Sequence, residues 1–520
     1  MAVGPVAAAA RERLNDALAW AAALPILLLP VSNPDLFWHL STASRIVSHG
    51  SLPRDDYLSF TRLGAPWVDF EWLVQLIFFG FHEPLGWAGL WALKILLLLV
   101  AAAAVWALAG LHAGGLARRL CLLFWAALSL PRAELKPELF SVILFSVELW
   151  ALEAHRLGAL RLPEPGWTAL LSLAFFAFWA NLHPGFPMGL ALIAAYAAGR
   201  DRESLLRLGP AFACGLAGTL LNPYGTGLYV VLADHARWFG VLSRRILEWT
   251  PPQLSNPMVW PLAALAAAVL AAWLLRWRAA GRPPAPHLLC AVVLGLQGLA
   301  VSRRQGAYFV PVGLLCLMES YARLKEAGLP ALRPGLRRGL AAAACALYAV
   351  YVGALALPRL QAPRAADYDY MPAAAADFIG RNLDVLGHRR IFNEWGWGGY
   401  LSYRFEPDIR VFMDGRYLFH PLLAEADAAQ ADPVKWQGLL DKYGVEWALI
   451  GNFNQPVTVV ELLGGGRVRR TRPPHLSVYM PANRWALVHQ DPLALIYARR
   501  GTLPEAWLAR HEVRYEWRRP

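Results

Sequence analysis

The side chains able to do chemistry fall in a few clusters beside apolar runs. They are Asp35 and His39 in NPDLFWHL, Asp55 and Asp56 in RDDY, Asp69 and Glu71 in VDFEW, and Arg132, Glu134, Lys136 and Glu138 in PRAELKPEL. His183 in NLHPGF, Glu248, and Arg303 and Arg304 in SRRQ complete the set. A carboxylate can deprotonate or orient a hydroxyl, and arginine holds phosphate through charge-assisted hydrogen bonds. At a membrane boundary these are the parts needed to handle a phosphate-bearing lipid. Spacing alone does not make them converge, and each has a plainer reading. Asp35 is equally a helix-end carboxylate or N-cap, with Trp38 in an interfacial aromatic belt. RDDY reads as a solvated turn, and Asp69 and Glu71, two apart, need not act as a unit. The charges of RAELKPEL can pair among themselves, and His183 can be a hydrogen-bonded loop histidine.

The elements that must position them are mostly membrane helices. The chain has 520 residues, 57% hydrophobic and 17% charged, with mean hydropathy +0.36, which is too apolar for a set of water-soluble domains. A window of about 20 apolar residues finds about eleven candidate spans, near 15–32, 86–111, 116–131, 138–155, 166–181, 184–199, 205–221, 257–277, 285–301, 306–323 and 338–357. The net charge of +12 sits mainly on arginines in short loops between these runs. With the N-terminus in the cytoplasm, the loops HAGGLARRL, EAHRLGALRLPEPG, GRDRESLLRLG, LLRWRAAGRPPAPH and ARLKEAGLPALRPGLRRG all satisfy the positive-inside rule. Only VSRRQGA breaks it, and an arginine pair on the disfavoured side calls for a reason such as a bound anion.

Two regions follow: a transmembrane domain over 1–357, with a first outer loop at 33–85, and an outer domain over 358–520. Within the first loop, LFWHLSTASRIVSHG and FEWLVQLIFFGFHEPLG carry the apolar spacing of interfacial helices, and the stretch between them is turn-rich. In the C-terminal region AAAADFIGRNL reads as helix, and IRVFMDGR, VEWALIGNF and RWALVHQD read as strands. NEWGWGGYLSYRF reads as a glycine-broken aromatic turn, and GGG before RVRRTRPP as a loop. Trp395, Trp397 and Tyr400 offer faces for a sugar or fill the core. Asp414 and Arg416 are placed to pair locally.

Several function classes lack support. No GxxxxGK[ST], GxGxxG or HExxH occurs, and the five cysteines lie in apolar runs without metal-ligand spacing. No cofactor is expected, and a divalent metal has no motif behind it. Charge at mid-span is scarce for an ion-coupled transporter, with Lys94 the basic exception.

The first span with an acidic residue directly after it, the long first outer loop, the further spans and the outer C-terminal domain together resemble the GT-C superfamily of membrane glycosyltransferases. The phrases DLFWHLSTASRIVSHGSLPRDDYLSFTRLGAPWVDFEWL, FWANLHPGF, LNPYG and FNEWGWGGYLSYRF…VFMDGR look like a bacterial branch of such proteins. The resemblance implies a polytopic α-helical fold with a C-terminal α/β domain. It also implies transfer of a sugar from a polyprenyl-phosphate donor to a lipid, glycan or protein acceptor on the periplasmic face of the inner membrane. Asp35 matches the superfamily's first-loop acidic residue and would be the catalytic carboxylate, with Asp69 and Glu71 as further candidates. His39, Arg132, Lys136, His183, Arg303, Arg304, Trp395 and Trp397 are the candidate substrate-binding residues. Neither the paired acidic motif of the protein mannosyltransferases nor the WWDYG signature of the oligosaccharyltransferases is present. A non-catalytic lipid carrier or assembly partner for surface polysaccharide is the alternative.

Overall fold

A computed structural model describes residues 5–198, 202–280, 285–326, 333–360, 364–452, 459–463, 467–471 and 475–513. The 464–466 loop lies outside them. Apolar runs fold into α1 (Pro5–Leu27), α2 (Leu36–His49), α3 (Trp72–His112), α4 (Gly115–Ser129), α5 (Pro137–Arg156), α6 (Pro165–Leu182) and α7 (Phe186–Ala198). They continue as α8 (Arg202–Gly218), α9 (Gly227–Arg237), α10 (Phe239–Arg245), α11 (Trp260–Ala280), α12 (Pro286–Ala300), α13 (Gly306–Glu326) and α14 (Pro334–Leu355). The chain forms two compact units, one of Met1–Asn33, Phe70–Ala233 and Leu242–Asp367, the other of Pro34–Asp69, Asp234–Val241 and Tyr368–Pro520.

The first unit is helical. Among the described residues four helices are long and apolar enough to cross a membrane: Trp72–His112, Pro165–Leu182, Pro257–Arg278 and Gly335–Leu355. That is fewer than the eleven expected from sequence. One reason lies in α5, which carries Glu138, Glu148 and Glu153 within its body. The expected interfacial helix and second span are one 41-residue helix, α3, broken at Gly86 (φ 58°) just after Pro84. Proline removes a helical N–H and glycine takes the left-handed backbone, so the two together redirect the chain. Lys94 is fully buried because its ammonium caps the carbonyls of Leu29 and Pro30 at the end of the first helical segment. On α5 the buried Glu138, Ser141, Phe145 and Glu148 follow helical spacing and form one inward stripe.

The second unit combines α2 with a mixed sheet of β1 (Ile391–Asn393), β2 (Trp447–Gly451), β5 (Trp485–Gln490) and β6 (Ala494–Arg499), in the order β1-β2-β6-β5. β1 pairs with β2 in parallel, Phe392 opposite Ala448, and the other pairs are antiparallel. A separate hairpin joins β3 (Val459–Leu463) to β4 (Arg467–Thr471). The expected helix at AAAADFIGRNL and the strands at VEWALIGNF and RWALVHQD are present. IRVFMDGR is not a strand, because Val411 makes a single bridge with Ser59 before the chain turns at Asp414–Arg416. NEWGWGGYLSYRF is a short 3-10 turn running into a helix, Gly398–Phe405, rather than a turn alone.

Candidate functional site

In the first unit, three connections between helices carry a cation cluster. The turn Leu130–Arg132 ends in Arg132, and Lys136 directly precedes α5. Glu248 lies on the turn Leu247–Trp249, and Arg304 on the turn Arg303–Gln305 between α12 and α13. Glu138 is the hub: it pairs with Arg132 and, at 3.3 Å, with Nε of Arg304. Lys136 pairs with Glu248 and, at 3.0 Å, with Glu134. Glu248 also lies 3.9 Å from Arg132. The expected self-pairing within RAELKPEL is therefore half of the picture. Its other half comes from residues more than a hundred positions away.

His183 joins this network between α6 and α7. Its Nε2 lies 3.1 Å from an Arg304 Nη, and its Nδ1 lies 2.8 Å from Ser141 Oγ, which also accepts from Trp179 Nε1 at 2.7 Å. A guanidinium can only donate, so Nε2 accepts and Nδ1 carries the proton. With both nitrogens engaged, His183 orients Arg304. Burial works against the charge of Arg304, but Glu138 and Glu71 are among the groups that more than offset it and hold the guanidinium above its ordinary value. Arg303 takes no part in these bonds: its backbone N–H donates to Thr250 O at 3.2 Å, and its Nε is buried without a hydrogen-bond partner. Arg132, Glu134, Lys136 and Glu138 line a narrow groove together with Leu98, Ala101, Trp125, Leu128, Val142 and Val310 of α3, α4, α5 and α13. The walls of this small groove are thus part charged and part apolar.

The second unit holds the remaining candidates. Asp35 sits at the N-terminus of α2, where Trp38 Nε1 donates to its carboxylate at 3.4 Å. The same carboxylate oxygen fills the space a β-carbon on Gly415 would take. His39 is buried against the Trp38 ring, centroids 3.7 Å apart. Asp69 is buried, whereas Glu71 belongs to the first unit. Trp397 is buried and Trp395 packs partly buried against the domain's apolar core.

Two groupings here go beyond the sequence reading, which expected only the local pair of Asp414 and Arg416, now present. Arg416, buried, bonds Asp414 and Asp56 at 2.7 Å each, under the ring of Trp67 at 4.5 Å. Asp56 also accepts from Ser59 Oγ and N, so this half of RDDY is a buried anchor and not a solvated turn. The second grouping is His420 with Asp234 at 3.0 Å, and His235 edge-on to His420 at 5.1 Å. Nearby, Tyr417 OH accepts from Val68 N at 3.0 Å. The adjacent Asp234 and His235, on α9, were a readable signal, while His420 offered none. Among the described residues no three His, Cys, Asp or Glu side chains are grouped to hold a metal ion.

No protein-family model and no curated protein matches the chain. Solved structures do. The archaeal oligosaccharyltransferase AglB from Archaeoglobus fulgidus, in complex with an inhibitory peptide and a dolichol-phosphate, aligns over 92% of this chain and 80% of its own, with TM-score 0.60 and 11% identity. ArnT from Cupriavidus metallidurans in the apo state aligns over 95% of this chain and 98% of its own, with TM-score 0.51 and 15% identity. The same protein bound to undecaprenyl phosphate gives 93%, 97%, 0.50 and 13%. The chain shares its overall fold with these two proteins. With its long apolar helices, the chain is an integral membrane protein.

Proposed function

We propose that the protein is a membrane glycosyltransferase that moves a sugar from a polyprenyl-phosphate-linked donor to an acceptor hydroxyl. The observation that carries this reading is the cation cluster of Arg132, Lys136 and Arg304, of which Arg132 and Lys136 line a groove whose other walls are largely apolar. Such a site suits a ligand with a phosphate head and a hydrocarbon tail. The resemblance in fold to proteins solved with dolichol-phosphate and undecaprenyl phosphate supports the same donor class. In this reading Asp35 takes the proton of the acceptor hydroxyl as its oxygen bonds the anomeric carbon. The carbon–oxygen bond to phosphate breaks with inversion, and the departing phosphate is neutralised by the fixed cations. Asp69 and Glu71 are the reserve carboxylates, and no step is routed through a metal.

The finer assignments belong to the same proposal. They are about eleven spans with the N-terminus in the cytoplasm, residues 1–357 as the transmembrane domain, and 358–520 as a periplasmic domain at the inner membrane. The alternating arginine-bearing loops support that sidedness. The test is transfer of radiolabelled sugar from polyprenyl-phosphate donors by purified wild type and Asp35→Asn, with folding checked in both. Loss of transfer in the folded variant supports the assignment. Full activity in the variant moves the catalytic role to Asp69 or Glu71, and an inactive wild type across donors overturns the enzyme reading.

A further inference from the structure

We infer that the carboxylate of Glu248 is a displaceable stand-in for the donor phosphate, occupying the cation cluster until the lipid headgroup replaces it. The inference rests on the polyprenyl-phosphate reading above and deepens it. Glu248 sends one carboxylate oxygen to Lys136 and the other toward Arg132, at 3.9 Å. One O–C–O group spanning two cations has the shape of the O–P–O group of a phosphate.

The three carboxylates on the cluster are not equivalent. Glu138, 6% exposed, is held by both Arg132 and Arg304, and removing it would leave two guanidinium groups without their hub. Among the described residues Glu134 forms an ion pair with Lys136 alone. Glu248 is 29% exposed and bridges two cations, so it can step into water while an incoming anion takes over both partners. Its backbone cannot follow. The carbonyl of Glu248 accepts from Ser302 Oγ at 2.9 Å, and the next residue but one, Thr250, accepts from Arg303 N at 3.2 Å. Displacement is therefore a swing of the side chain on a fixed turn. The exchange leaves Lys136 and Arg132 paired before and after binding, so the site is never an uncompensated pair of cations beside a membrane. It also sets a threshold for the ligand, because only an anion stronger than a carboxylate gains by the exchange.

The test is direct binding of geranyl phosphate, inorganic phosphate and geraniol to the full-length protein in detergent, by titration calorimetry. Glu248→Gln removes the competitor, and is expected to bind geranyl phosphate about three- to tenfold tighter than wild type, with Glu248→Ala giving the same gain. Inorganic phosphate gains by a similar factor from a weaker starting affinity, since it has no tail for the groove, and geraniol gains nothing. Glu134→Gln gains less than Glu248→Gln. Wild-type binding of geranyl phosphate with equal or weaker binding by both Glu248 variants overturns this inference alone and leaves the donor assignment standing. Failure of wild type and variants alike to bind geranyl phosphate overturns the donor assignment, and this inference with it.

Discussion

The carboxylate of Asp35 occupies the space that a β-carbon on Gly415 would need. Glycine at 415 is thus the residue that lets the Asp414–Arg416 turn close over the start of α2. Gly415→Ala must push either the carboxylate or the turn aside. An alanine forced into a filled site typically costs about 1–3 kcal/mol. If Asp35 is the catalytic carboxylate, transfer by Gly415→Ala falls by about tenfold or more while the protein remains folded, since small displacements of a reacting group are expensive. Steady-state transfer alongside a thermal melt separates the two effects. Unchanged transfer in a folded Gly415→Ala protein would show that the turn yields and the Asp35 carboxylate keeps its place, and unchanged transfer in Asp35→Asn as well would remove Asp35 from the chemistry.

Arg416 is the one cation between two buried carboxylates, Asp56 and Asp414. Burial opposes its charge, yet the two aspartates hold it well above its ordinary value. Arg416→Met leaves both carboxylates without their partner, and breaking one side of a buried ion cluster costs about 3–5 kcal/mol. The variant is expected to melt at lower temperature and to expose the 54–69 segment to protease. Asp56→Asn keeps Asp414 as partner and should lose less. Equal melting of Arg416→Met and wild type would show that the cluster contributes no net stability.

Arg416 and Asp56 also show where sequence reading reaches its limit. The two lie 360 positions apart, Asp56 looks like any solvated turn residue, and nothing in RDDY marks it as buried. Arg304 was legible for a different reason: an arginine pair on what the charge rule reads as the disfavoured side asks for an anionic partner, and the structure supplies a carboxylate in Glu138. The sequence did not separate Arg303 from Arg304, because consecutive residues on a tight turn point in different directions. Helix patterning was readable through the apolar runs, as α2 and α3 show. The strands β3, β4 and β6 were not, because Arg467–Thr471 has no apolar alternation and Ala494–Arg499 is a short apolar run that periodicity cannot assign.

Arg132 and Arg303 should therefore differ as variants. Arg132 pairs with Glu138 on the wall of the groove, whereas Arg303 makes no ion pair with the cluster among the described residues. Removing a charged partner from a phosphate costs about 1.5–3 kcal/mol. Arg132→Gln is expected to raise KM for the polyprenyl donor by about ten- to a hundredfold, and Arg303→Gln by much less. Donor-concentration series on both variants decide the matter. A larger defect in Arg303→Gln would place the phosphate on the opposite side of the Arg303–Gln305 turn from the one proposed.

His420 predicts a pH dependence in the second unit. Burial lowers its imidazole below the ordinary value, and the Asp234 carboxylate 3.0 Å away opposes that shift without overcoming it. The unfolded chain then binds a proton more readily than the folded one, so stability is fully present above the ordinary histidine pKa of about 6.5 and declines as pH falls through it. One such group contributes a slope of at most about 1.4 kcal/mol per pH unit, confined to the interval between its unfolded and folded values. Melting temperature in detergent should fall between about pH 7 and pH 5, and the fall should be shallower in His420→Gln. The comparison with the variant matters because carboxylates also lose stability on acidification, at lower pH. If His420→Gln keeps the full slope near neutrality, the pairing with Asp234 offsets burial and the imidazole titrates alike in the folded and unfolded chain.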